Sequence, residues 1–119
     1  MGISRRTALK QLGGASAAFV AFPALAQQGW PNKPIRYIVN FAPGGTTDIL
    51  GRIAAERLTP VLGQPVVVEN KAGQGGSIGA AELAKAAPDG YTIGGGTISS
   101  HAINASLYSR LPYDPITSF

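Results

Sequence analysis

The segment Phe41-Ala42-Pro43-Gly44-Gly45-Thr46-Thr47-Asp48 has the residue types and spacing best suited to holding an anion. It follows the apolar run Ile35-Arg36-Tyr37-Ile38-Val39 and leads into a helical pattern, so a strand breaks at Pro-Gly-Gly and restarts as a helix. The first turn of such a helix carries unpaired N–H groups and the positive end of the helix dipole, and both favour negative charge. Glycine lets a ligand approach the backbone with no side chain in the way. Thr46 or Thr47 is expected to cap the helix. Asp48 is awkward for plain anion binding; it could cap N–H groups, order a water or pair with a ligand amine.

Two further junctions repeat the pattern. Gly73-Gln74-Gly75-Gly76-Ser77-Ile78-Gly79 misses the dinucleotide spacing, because its third glycine falls one residue late, and Ile93 and Gly94 stand where an acidic residue would be needed. Gly75 to Gly79 does fit G-x-S-x-G, the nucleophile elbow of a serine hydrolase. That elbow requires a strand running straight into the serine, whereas Asn70 to Gln74 intervene here, and Asp89 and His101 follow too closely for an acid and a base. Ser77 reads more simply as an N-cap whose hydroxyl, with the N–H groups of Gly75 and Gly76, can meet a carboxylate. At the third junction, Thr97, Ser99 and His101 can cap a short helix or touch the same ligand. No P-loop pattern occurs.

These junctions need elements to hold them. Alternating apolar runs and helical periodicity predict a β-α-β-α-β-α order. The strands fall at 35–41, 65–69 and 91–95. The first helix starts near Thr46 and presents Ile49, Leu50, Ile53, Ala54 and Leu58 to the core, with Pro60 kinking or ending it and Gly63 closing a last turn. A second helix spans about 77–87, and a third, short one spans about 101–107. Such an order implies right-handed crossovers and a parallel, doubly wound α/β sheet, whose ligands bind beyond the carboxyl ends of the strands. All three junctions lie at that edge. The chain stops after the third helix with two sheet edges open, which reads as the N-terminal portion of a longer fold.

Residues 1–26 read as an export leader rather than as part of the fold. Arg5, Arg6 and Lys10 precede an apolar stretch from Leu12 to Phe22, and Ala24-Leu25-Ala26 supplies a small-x-small cleavage pattern, so residues 27–119 form the mature part. Ser4-Arg5-Arg6-Thr7-Ala8-Leu9-Lys10 resembles the twin-arginine motif, with Ala8 in place of the usual Phe. Three of the ten basic residues and none of the six acidic ones belong to the leader, which leaves the mature part at +1. That charge gives no footprint for nucleic acid. Without cysteine there is no disulfide or thiolate site, and a single histidine makes no multi-histidine metal centre. No cofactor is expected.

The segments Pro34-Ile35-Arg36, Phe41 to Asp48, Leu62 to Asn70, Gly75 to Gly79, Ala87 to Thr92, His101 to Asn104 and Leu111 to Pro115, in that order, closely resemble the Bug-type receptors of tripartite tricarboxylate transporters. The resemblance implies a two-domain, type II-like periplasmic binding protein, here without its second domain. It implies capture of an organic acid (a di- or tricarboxylate, amino acid or aromatic acid) and delivery to membrane permease subunits, by a monomer that is no enzyme. It further implies that main-chain groups and waters at loops matching Phe41 to Asp48 and Gly75 to Ser77 hold a carboxylate. The loop from Thr97 to His101 borders the same cleft.

Overall fold

The computed structural model describes residues 29–119. The expected leader, with its cleavage point near Ala26, lies outside the described residues.

Strand β1 (Ile35–Val39) is central, with β2 (Val66–Asn70) on one side and β3 (Thr92–Gly95) on the other, all parallel. Ile35 pairs with Val66 and Val39 with Asn70, while Arg36 pairs with Thr92 and Val39 with Gly95. Because the chain steps from β1 to β2 and then across β1 to β3, right-handed crossovers put the two connecting helices on opposite faces. Helix α1 (Thr46–Leu62) covers the face carrying Tyr37 and Val39, and α2 (Ser77–Ala84) covers the face carrying Ile38 and Asn40. The fold is therefore the doubly wound α/β sheet expected, with the switch point between β1 and β3.

Two helix features differ from expectation. First, α1 buries Asp48, Gly51 and Ala55, while Ile49, Leu50 and Ile53 are exposed. The helix lies so close to the sheet that a Cβ on Gly51 would sit 2.9 Å from Val39 Cγ2, so only small side chains fit beneath it. Second, Pro60 does not end α1, which runs on to Leu62 and closes, as expected, on left-handed Gly63, whose N–H bonds the Thr59 carbonyl. Pro60 removes one N–H near an exposed helix end, and the Thr59 hydroxyl links the Ala55 carbonyl to the N–H of Val66 at the start of β2. Helix α2 ends at Ala84, three residues earlier than expected. Its own close contact is at Gly79, where a Cβ would lie 2.5 Å from Asn40 Oδ1 and 2.9 Å from Asn40 Cα. Gly79→Ala is expected to cost about 1–3 kcal/mol despite alanine's better helix propensity. A rise in the urea midpoint would contradict this packing.

A charged cluster holds the α2 face to the strands. Arg36 on β1 makes a two-pronged contact with Glu69 on β2, at 2.9 and 2.7 Å, and reaches Glu82 on α2 at 2.7 Å. Lys71 lies 3.3 Å from Glu82. The Arg36 contacts lower both carboxyl pKa values and raise that of Arg36. At the far side of the chain, the Tyr113 hydroxyl donates to the Ser100 carbonyl and its ring packs with Ala80 and Ala81. Among the described residues no helix is long and apolar enough to cross a membrane.

Candidate functional site

The carboxyl ends of β1, β2 and β3 open into the three loops singled out in the sequence, and each loop is fixed by side chains from its neighbours. The first, Phe41 to Gly45, enters α1 through Gly45, which has extended backbone angles and makes no side-chain cap. Neither Thr46 nor Thr47 caps the helix. Asp48, in the first turn, reaches back instead: its Oδ2 accepts the Gly44 N–H at 2.9 Å. Asp48 is only 3% exposed, and its carboxylate also accepts from Arg52 Nε at 3.0–3.1 Å and from Asn70 Nδ2 at 2.9 Å. The same Asn70 amide donates to the Phe41 carbonyl at 3.0 Å. Loop, helix and the end of β2 are thus locked through one carboxylate. The Arg52 hydrogen bonds first, then those from Gly44 and Asn70, hold its pKa down at about 2. Ala42, Pro43, Gly44, Gly45 and Thr46 remain exposed at the loop tip.

The second loop contains a left-handed turn. Gln74, Gly75 and Gly76 have φ of +46°, +60° and +90° in succession, and Gln74 is the only non-glycine with positive φ among the described residues. Gly76 precedes α2 and no side chain caps it, so Ser77 is the first helical residue rather than the N-cap. Ser77 is 1% exposed, and its hydroxyl accepts from Asn104 Nδ2 at 2.8 Å. The turn leans on the first loop, since a Cβ on Gly76 would lie 3.2 Å from the Phe41 ring.

The third loop ties itself to the second. After Gly96 the chain makes a wide turn over Ser99–Ile103 and continues as α3 (Asn104–Leu107). The Ser99 hydroxyl donates to the Gly75 carbonyl at 2.9 Å, and Asn104 Nδ2 also reaches that carbonyl at 3.0 Å. Thr97 and Ser100 bond reciprocally: each hydroxyl accepts the other's backbone N–H, at 3.2 and 3.1 Å. His101 Nδ1 lies 2.8 Å from Ser100 Oγ, and its ring sits over Gly96 with Phe119 at 4.7 Å.

The structure therefore brings the proposed residues to one edge but in two roles. Ala42 to Thr46 and Gly75 present exposed backbone. The polar side-chain atoms of Asp48, Ser77, Thr97 and Ser99 all bond neighbouring protein groups. Between β1 and β3 lies a cleft of about 130 Å³ lined by Tyr37, Val39, Asn40, Thr47, Leu50, Gly95 and Gly96. Asn40 braces its floor by donating to the Gly95 carbonyl at 3.2 Å. The positioning roles of Asn40, Asn70 and Asn104 were missed in the sequence. The available signal was an asparagine at the end of two strands and at the start of α3, since amide side chains there can bond two backbone segments at once.

Comparison with known proteins fits this arrangement. Residues 49–119 match the tripartite tricarboxylate transporter family receptor. Protein BugT of Bordetella pertussis is 46% identical over 99 residues, which are 82% of this chain and 30% of that protein. A solved structure described as a periplasmic transporter is 56% identical with a TM-score of 0.71, covering 73% of this chain and 29% of its own. MatC from Rhodopseudomonas palustris, solved with bound malate, is 37% identical with a TM-score of 0.72, covering 76% and 31%. An R. palustris protein solved with adipate is 43% identical with a TM-score of 0.71, covering 74% and 29%. The chain spans about 30% of the length of the curated relatives it matches. On this likeness, the chain belongs to the receptor family of the tripartite tricarboxylate transporters.

Proposed function

We propose that this chain forms one wall of a periplasmic receptor that captures an organic dicarboxylate and delivers it to membrane permease subunits. The observation that carries this reading is the convergence of three glycine-bearing junctions beside the β1/β3 cleft, where the exposed backbone N–H groups of Gly45, Thr46 and Gly75 can donate to carboxylate oxygens. Malate and adipate, held by two relatives of the same fold, are both dicarboxylates. Residues 1–26 act as the export leader, and no bond is made or broken in the ligand. A hydrolase built on Ser77 is disfavoured, because that hydroxyl is buried against Asn104 while His101 bonds Ser100. A fluorophosphonate probe is expected to leave Ser77 unlabelled.

Thermal shift of the chain with malate, adipate, succinate, citrate and NADH tests the proposal. A ligand at 100 times its dissociation constant stabilises by about 2.7 kcal/mol. The expected result is stabilisation by one or more dicarboxylates and none by NADH. A folded chain that responds to none of the acids, alongside a MatC control that responds to malate, would refute binding by this wall.

A further inference from the structure

Tyr37 stands in the middle of β1, and its ring is wedged beneath α1, since a Cβ on Gly51 would lie 3.1 Å from its Cε1. From there the ring reaches across to β3, where a Cβ on Gly95 would lie 3.2 Å from the hydroxyl. Two glycines thus leave the room that fixes this side chain. The residue is half-buried, and its hydroxyl makes no hydrogen bond among the described residues. It lines the β1/β3 cleft together with Val39, Leu50 and Thr47, and no lysine or arginine does so. The Asn40 amide in the same wall is taken up by the Gly95 carbonyl. The side-chain donors left over are the Tyr37 hydroxyl and, in the first turn of α1, that of Thr47.

We propose that Tyr37 is the residue that selects dicarboxylates over monocarboxylates. The inference rests on the function proposed above. One carboxylate sits on the backbone N–H groups of the loop edge, and the ligand's carbon chain carries the second into the cleft, where Tyr37 Oη donates to it. The cleft holds about 130 Å³, small beside the roughly 300–1,000 Å³ of ordinary ligand sites, so it takes one end of a short acid. Its walls are otherwise largely apolar, and one fixed polar group in such a wall sets which ligand end is accepted. A hydroxyl bonded to a carboxylate is worth about tenfold or more in affinity. An acid that ends in a methyl group forgoes that bond and leaves the hydroxyl covered without a partner.

The test measures dissociation constants by titration calorimetry for the chain and for Tyr37→Phe, which keeps the ring and removes one oxygen. Each dicarboxylate is paired with the acid that has a methyl in place of one carboxylate: succinate with butyrate, adipate with hexanoate, malate with 2-hydroxybutyrate. The dicarboxylate that the wild type binds best should weaken about tenfold or more in Tyr37→Phe, while its partner acid binds as before or more tightly. Melting without ligand should not change, because the hydroxyl bonds no protein group. Equal binding of that dicarboxylate by both proteins would overturn this inference and leave the proposed function standing. Equal weakening of both members of a pair, or a lower melting temperature without ligand, would make Tyr37 a structural residue and overturn it too. A folded wild type that binds none of the acids would count against the proposed function and against this inference with it.

Discussion

Replacing Asn104 with alanine should lower stability by about 2–3 kcal/mol, since it leaves buried polar partners unsatisfied. For a domain of this size that is a fall in melting temperature of roughly 10 °C or more. Asn104 is buried, and its single Nδ2 group donates to the Ser77 hydroxyl and the Gly75 carbonyl, with a longer contact to the Gln74 carbonyl at 3.4 Å. Those acceptors belong to the left-handed turn that presents Gly75 to the cleft side. Gln74 at φ +46° stores backbone strain of about 1–3 kcal/mol that the surrounding bonds must offset. Two companion variants sharpen the reading. Ser99→Ala, which removes one of two donors to the Gly75 carbonyl, should cost only about 1 kcal/mol. Gln74→Gly removes the strain and should recover part of the loss when combined with Asn104→Ala. If Asn104→Ala melts like the wild type, the turn is held by something other than this amide.

Asp48→Ala is the second large effect expected. It abolishes the acceptor for Gly44, Arg52 and Asn70 together, so both the first loop and the end of β2 lose their anchor. The fall in denaturation midpoint should exceed that of Arg52→Ala, because Arg52 supplies only one of the three donors. The pH dependence has a fixed sign. The Asp48 carboxyl titrates at about 2 in the folded chain against 3.8 when free, so folding favours the ionised form. Its contribution is complete above about pH 4 and is lost as pH falls through about 2. Asp48→Asn should therefore be less stable than the wild type at neutral pH, and the gap should close in acid. Glu69 and Glu82, also lowered, remain in both proteins and cancel in the difference. A gap that stays constant from pH 6 to pH 2 would show that charge at Asp48 is not what holds the loop.

The strands, their order along the chain and the three loops were legible because each rests on a local signal. Val66-Val67-Val68 marks a strand, Pro43-Gly44-Gly45 a break and Pro88-Asp89-Gly90 a stop, whatever surrounds them. The buried face of α1 was not legible, because periodicity assigns the largest apolar residues to the core. Here the separation of helix and sheet is set by Gly51 meeting Val39 and Tyr37, and so Ile49, Leu50 and Ile53 turn outward. The caps failed for a related reason. A hydroxyl beside a helix start suggests a cap, but Gly45 and Gly76 occupy those positions, and Asp48 reaches back to Gly44 from inside the helix. Ser77 and Ser99 could be placed at the correct edge, yet their partners stand 27 and 24 positions away and no local pattern records them.

The only tryptophan, Trp30, lies where the chain enters the sheet. The residue is 54% exposed, and its ring rests against Gly90 and is tilted over Tyr91 at 6.0 Å, just ahead of Arg36 and Thr92. The loops open at the other end of the strands, about 15 Å away at some 3.3 Å per residue. Tryptophan fluorescence of this chain, excited selectively, therefore reports release of its amino-terminal strap from the start of β3, while events among the three loops pass without altering that emission.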